Sequence, residues 1–204
     1  MNELNLNNKL PVEFYLTDVL TAAKNLLGKV FVKISGKEIL AGKIVEVEAY
    51  NGAVDEASHS YNGKTPRNEV MFRQGGCLYV YFTYGMHFCS NIVTGIEEDA
   101  CAVLIRGIEP LSGIGKMSLN RFGKKAITEK ERINLTNGPA KLTQAFGIKR
   151  IHNGTLLTGN DIFILDAEPV PNEKIAVSKR IGIKKSVDLL WRFYIKDNLF
   201  VSKQ

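Results

Sequence analysis

The stretch Lys29–Tyr50, KVFVKISGKEILAGKIVEVEAY, decides the fold class. Lys29–Ile34 alternates as a strand, Ser35-Gly36-Lys37-Glu38 makes a turn, and Ile39–Tyr50 reads as the return strand or strands of a meander. Upstream, Thr17 reads as an N-cap, Val19, Leu20, Ala23, Leu26 and Leu27 follow at helical spacing, and Gly28 stops the helix. Downstream, Asn51–Gln74 is a long polar connection, of a kind that often carries function. Two strand-like runs follow, Cys77–Thr83 and Phe88–Val93, around Tyr84-Gly85-Met86, and Ala100–Ile108 is another strand. Pro110 then opens a helix to about Asn120, Gly123–Asn134 is basic and exposed, and Pro139 sits at N1 of a helix that Gly147 ends. Thr158–Asp161 joins two short strands, and Trp191–Ile195 is the last one. The expected fold is α+β: one domain over residues 1–204, with a curved, largely antiparallel sheet, flanking helices and a protruding β-hairpin. Residues 1–12, polar and rich in Asn, read as a loose N-terminal segment.

With 204 residues the chain is long enough to bury a full core, and 45% hydrophobic against 24% charged residues is the balance of a soluble globular protein. No apolar run reaches bilayer length and the opening residues lack a signal-peptide core, so a cytoplasmic protein is the default expectation. Cys77, Cys89 and Cys101 are odd in number and lie in apolar stretches, which reads as small buried hydrophobes rather than a disulfide framework or a zinc site. The net charge of +6 fits a polyanionic partner without requiring one.

Within residues 43–50 a period of two sends Val45, Val47 and Ala49 one way and Glu46, Glu48 and Tyr50 the other. Taken as structure alone, this is a half-solvated strand with two surface glutamates. Arg106, however, stands in the nearly apolar run Cys101–Ile108, and a buried arginine is seldom left unpaired. Two readings follow: an ion pair in the core, or Arg106 and Glu48 holding a reacting water between them.

A second constellation is aromatic. Leu78–Phe88 is dense with rings around a hairpin tip, and cross-strand pairing accounts for Tyr79, Phe82 and Phe88. It accounts poorly for Tyr84, whose ring beside a turn glycine should project; on a basic protein such a ring suits a wedge between stacked bases. His59 lies in the long loop, and no two histidines have metal-ligand spacing.

Together these residues resemble a known family. Glu48-Ala49-Tyr50, Asp55-Glu56-Ala57-Ser58-His59-Ser60, Thr65-Pro66-Arg67-Asn68, Tyr79-Val80-Tyr81, Tyr84-Gly85-Met86, Asn91, Leu104–Pro110, Asn137–Leu142 and Arg180–Ile183 look, in this order, like the alkyladenine (3-methyladenine) DNA glycosylase family. The resemblance implies a monomeric enzyme acting on double-stranded DNA with damaged purines, with neither metal nor organic cofactor, and no membrane partner. It further implies a nucleoid-associated cytoplasmic setting in a prokaryote and a nuclear one in a eukaryote. Carried over, Glu48 is the general base, Arg106 helps hold the attacking water, and the carbonyl of Ile181 is that water's third partner. Tyr50, His59 and Tyr81 enclose the flipped base, Asn91 crowds the exocyclic amine of an undamaged guanine, and Tyr84 fills the gap in the duplex. Arg67, Met86, Lys141, Lys179 and Arg180 fall on the DNA backbone, with Lys184 and Lys185 adding to the basic segment.

Two other classes remain in view: a nucleic-acid-binding module of the same fold without the reaction, and a carbohydrate-directed glycosidase using Glu46 and Glu48 as its acid and base. One geometric condition can be checked. A two-residue hairpin loop puts Tyr81 and Asn91 on opposite faces, so sharing a pocket requires the three-residue loop Tyr84-Gly85-Met86 or a bulge.

Overall fold

A computed structural model describes residues 4–83 and 85–203. Its helices are α1 (Val19–Leu26), α2 (Ile114–Phe122), α3 (Glu129–Ile133) and α4 (Pro139–Phe146); its strands are β1 (Val30–Ser35), β2 (Glu38–Asn51), β3 (Leu78–Thr83), β4 (His87–Thr94), β5 (Cys101–Ser112), β6 (Ile162–Leu165), β7 (Ile175–Ser178) and β8 (Arg192–Ile195). Among the described residues the strands form one antiparallel sheet in the order β3-β4-β5-β2-β1-β6, with β8 on β2 and β7 on β8. The expected α+β fold with its hairpin is what the chain adopts.

Strand β2, 14 residues long, organises the sheet. One edge pairs with β5 along most of its length, while the other passes from β1, opposite Lys43, to β8, opposite Glu46–Glu48. The main core lies on one side of this sheet: Ile44, Val47, Ala49, Val103 and Ile105 pack there against Leu26 of α1, Met117 of α2 and Leu142 and Phe146 of α4. The other side is covered as well, so Glu46 and Glu48 are fully buried rather than solvated. The covering chain comes from residues 180–203, far away in sequence.

Two irregularities break the alternation where the two glutamates sit. Ile44 pairs with Ile108 but Glu46 pairs with Gly107, so Val45 is an extra residue on β2; Val47 pairs with Ile105, so Arg106 is an extra residue on β5. A bulge places two successive side chains on one side of a sheet. Val45 accordingly packs with Phe200 and Val201 instead of joining Val47 and Ala49, which corrects the strict period of two.

Four further details differ from the sequence reading. The N-cap of α1 is Asp18, not Thr17: its carboxylate accepts from the amides of Leu20 and Thr21. Pro110 lies inside β5, beyond the part paired with β4 (Cys101–Leu104), so its missing N–H breaks no bond to β4; the helix starts at Ile114 instead. Of the segment read as loose, Lys9 and Leu10 are held, with the Leu10 amide donating to the Ile164 carbonyl and Lys9 bridged to Leu165. β7, opposite β8, went unread in the sequence.

At the hairpin, Thr83 pairs with His87, Tyr81 with Cys89 and Tyr79 with Asn91, so the loop is the three-residue one, with Gly85 at φ 66°. Tyr81 and Asn91 therefore share a face. Tyr84, read as the wedge, lies outside the described residues.

Candidate active site

Cross-strand partners point to the same side of a sheet. The registers Tyr81–Cys89, Tyr79–Asn91, Asn91–Leu104 and Leu104–Glu48 therefore line up one face across four strands. That face floors a cavity of about 450 Å³, walled by Tyr50, His59, Tyr79, Tyr81, Asn91 and Arg106, with Pro139 at the start of α4 and Ile181–Lys185 closing its other side. The volume suits one small planar ligand. Glu48 lies just behind this wall, fully buried.

Three donors converge on the Glu48 carboxylate: the Ile181 amide to Oε1 at 2.7 Å, the Tyr50 hydroxyl to Oε2 at 2.8 Å and Arg106 Nη1 to Oε2 at 3.3 Å. A carboxylate offers about four acceptor sites, which leaves room for one more donor, such as a water. Tyr50 stays a phenol, because burial and then the adjacent Glu48 hold its pKa well above the ordinary value. Arg106 keeps its charge: burial works against it, but Glu48 and Glu46 outweigh burial and raise its pKa. Glu48 and Arg106 thus touch directly. At Ile181 the structure shows the amide holding Glu48, a contact the sequence reading did not include.

The rings form a cage. His59 stands edge-on to Tyr81 with centroids 4.5 Å apart, and Tyr79 stacks on Tyr81 at 5.5 Å. His59 Nδ1 meets the Tyr79 hydroxyl at 3.1 Å. Burial, then the charge of Arg67, lowers the His59 pKa below its ordinary 6.5, so the ring is neutral at pH 7. Burial pushes the Tyr79 hydroxyl up to about 12 and raises that of Tyr81 further. The long loop that presents His59 is held by buried polar groups: Asn68 Nδ2 donates to the carbonyls of His59 and Gly63, and Ser60 Oγ to that of Ala100. Asn91 faces the cavity with its amide donating to the Tyr79 carbonyl at 3.2 Å.

The expected backbone contacts divide. Arg67, Met86 and Lys179 are exposed, Arg67 near the hairpin through the Phe82 carbonyl, and Lys179 3.6 Å from Asp188. Lys141 is partly exposed in the first turn of α4 and donates to the side chains of Asn134 and Asn137. Arg180 is a correction. Only 5% exposed, it grips Asp55 at 2.5 and 2.8 Å, donates to the Ala49 carbonyl and lies over the Tyr50 ring, so it has no free face for a phosphate. Lys184 and Lys185, four and five residues on, line the cavity mouth.

Glu46 is no partner acid. Its carboxylate is taken up by Arg106, Arg192 and Ser202 and does not line the cavity, which removes the reading with Glu46 and Glu48 as an acid–base pair. Asp55, Tyr79, Arg192 and Ser202 are site residues the sequence reading missed. The rule that flagged Arg106, a cation in an apolar strand, applies equally to Arg192 between Trp191 and Phe193.

A family model described as methylpurine-DNA glycosylase matches residues 13–199. A protein of Carboxydothermus hydrogenoformans is 51% identical over 196 residues, covering 96% of this chain and 99% of its own length. One from Clostridium botulinum is 46% identical over 199 residues, covering 94% and 98%. Both carry the name "Putative 3-methyladenine DNA glycosylase".

Proposed function

Because this chain belongs to the methylpurine-DNA glycosylase family, we propose that it flips alkylated or deaminated purines out of duplex DNA and hydrolyses their N-glycosidic bond. It is a DNA glycosylase of DNA repair; the lesions and the route are the proposal. The observation that carries it is the meeting of a ring-lined cavity with a buried, hydrogen-bonded Glu48–Arg106 pair.

A purine alkylated at N3 or N7 is a cation and leaves readily. Tyr81, Tyr79 and Tyr50 offer it electron-rich rings, worth about 0.5–2 kcal/mol toward a cation, and the neutral His59 adds no repulsion. Water, accepted by the remaining site on Glu48 and steadied by Arg106 and the Ile181 carbonyl, adds its oxygen to the sugar carbon C1′ and gives a proton to Glu48. The bond from C1′ to the purine breaks as its electron pair goes to the base, which departs neutral. The transition state is oxocarbenium-like, so a modest base suffices. No lysine or proline nucleophile stands at the matching positions, and the product is an intact abasic site. Hypoxanthine and ethenoadenine are neutral and test the breadth of the pocket. Asn91 excludes undamaged guanine, Tyr84 wedges the duplex, and Arg67, Met86, Lys141 and Lys179, with Lys184 and Lys185 at the mouth, meet the backbone of a DNA bound by a monomer.

The test is direct. Duplexes bearing a single 3-methyladenine, 7-methylguanine, hypoxanthine or ethenoadenine are incubated with the protein in the presence of chelator, and free base is measured. Release of at least the cationic bases is expected; binding without any release leaves only a nucleic-acid-binding module.

His59 gives a pH prediction. Its folded-state pKa lies below 6.5, so as pH falls through that value the unfolded chain takes up a proton before the folded one. Folding stability therefore rises with pH between the folded-state pKa and 6.5, and the contribution is level again below that window, where both states are protonated. Affinity for a cationic lesion should fall in the same direction, because protonated His59 repels the base. His59→Gln should flatten both profiles between pH 7 and 5, measured by thermal midpoint and by equilibrium binding; unchanged slopes would remove His59 from this role.

A further inference from the structure

Arg106 lines the cavity, so whatever orients its guanidinium bears on the reaction. Behind it stands Glu46, fully buried, whose carboxylate receives four hydrogen bonds: Arg106 Nε at 3.2 Å, Arg192 Nε at 2.7 Å, and Ser202 through both its hydroxyl at 2.9 Å and its amide at 2.6 Å. The Ser202 hydroxyl also lies 3.5 Å from Arg106 Nη2, and Arg192 reaches on to the Lys203 carbonyl and to Ser178 Oγ. Segment 200–203 is thus fastened to the back of the site from two sides.

Gly107 makes the fastening possible. It pairs with Glu46 and turns to the same side as Arg106, and a Cβ on it would stand 2.7 Å from the Phe200 carbonyl oxygen. Only a residue without a side chain lets the segment approach this closely.

Four buried charges, Glu46, Glu48, Arg106 and Arg192, stand together and balance two against two. Such networks seldom stabilise a fold more than apolar packing does, and their best-attested use is to fix one arrangement among several. The fixed object here is a guanidinium. Arg106 directs Nε to Glu46, Nη1 to Glu48 and Nη2 to Ser202, which occupies three of its five N–H donors and leaves two. Released from Glu46 and Ser202, the group is free to turn its fork onto Glu48 and take up the acceptor site that a water needs.

We infer that Glu46 and Ser202 are positioning residues for Arg106, and that segment 200–203 is a clasp which keeps Arg106 from closing over Glu48. This rests on the glycosylase reading given above. The clasp touches no substrate, so it should govern the rate of base release and not the binding of DNA.

The experiment compares the full chain with Ser202→Ala, Ser202→Thr and Gly107→Ala on a duplex bearing one 3-methyladenine. Single-turnover release, equilibrium binding and thermal midpoint are read for each. Ser202→Ala should slow release about tenfold, the effect of losing one hydrogen bond to a charged group, with affinity unchanged within twofold. Ser202→Thr, which keeps the hydroxyl, should recover most of that loss. Gly107→Ala, acting from β5, should slow release at least as much with the same retention of binding. Wild-type release rates in both Ser202→Ala and Gly107→Ala overturn the clasp. So does a parallel loss of binding, rate and thermal midpoint that threonine fails to repair, which marks a merely structural contact. No release by the unsubstituted chain overturns the glycosylase reading itself, and the clasp with it.

Discussion

Glu48→Gln should slow single-turnover release of 3-methyladenine by roughly 10²–10⁴-fold, the usual contribution of a positioned base, while lesion binding stays within about threefold. The substitution keeps shape and volume and removes the acceptor that takes the water's proton. Its side effects can be stated beforehand. Glu48 accepts on Oε1 from the Ile181 amide and on Oε2 from Tyr50 and Arg106. A glutamine has one oxygen and one NH₂, so one end must face a donor with a donor. With the oxygen toward Ile181, the NH₂ meets Tyr50, whose hydroxyl can turn to accept, and Arg106, which retains Glu46. The mismatch then costs about 1–3 kcal/mol of stability, visible as a lower thermal midpoint, while the ring cage stays in place. Release at the parent rate takes Glu48 out of the base role. A loss of binding as large as the loss of rate shows instead that the cavity depends on the carboxylate for its shape.

How far the sequence reaches can be judged at single residues. Glu46, Glu48 and Tyr50 share a side because strands alternate, and that reading needs only local geometry. Asking that Tyr81 and Asn91 share a pocket leaves a three-residue hairpin loop or a bulge, and only the register of β3 on β4 decides for the loop. The bulges at Val45 and Arg106 lie beyond such local rules, although Gly107 in an apolar strand was a sign of one. Without them, Arg106 is a buried cation whose direction is unknown; with them, it turns toward both glutamates. Pro110 misled for a related reason. A proline is excluded from a strand only where its N–H is needed, and which edge is free depends on how far β4 extends. Arg180 misled most. It sits in a run of Lys179, Lys184 and Lys185 and reads as one more surface charge, but its partner Asp55 is 125 residues away. Composition counts charges; only the fold tells which of them are already matched.

That match supports the second large prediction. Both side chains of the Asp55–Arg180 pair are fully buried. Asp55 Oδ1 also accepts from the Ala57 amide, two residues before His59 in the same loop. Arg180 donates to the Ala49 carbonyl on β2 and precedes Ile181, whose amide holds Glu48. One ion pair therefore ties three parts of the site to each other: the His59 loop, the strand of Glu48, and segment 180–186. Removing one partner of such a pair leaves an uncompensated charge in the interior, which costs about 3–5 kcal/mol. For a chain of this length each kcal/mol lowers the thermal midpoint by about 2–4 °C, so Asp55→Ala should melt roughly 10 °C below the parent. Where enough folded protein remains, base release should fall further than the folded fraction explains, because the Ile181 amide and the His59 loop lose their common anchor. Arg180→Lys separates the contributions: it keeps the charge but cannot hold Asp55 with two nitrogens and reach Ala49 as well, so it should melt above Asp55→Ala yet remain slow. A phosphate-binding role for Arg180 makes the opposite forecast, in which either substitution weakens affinity for undamaged duplex and reduces its salt dependence while the thermal midpoint stays put.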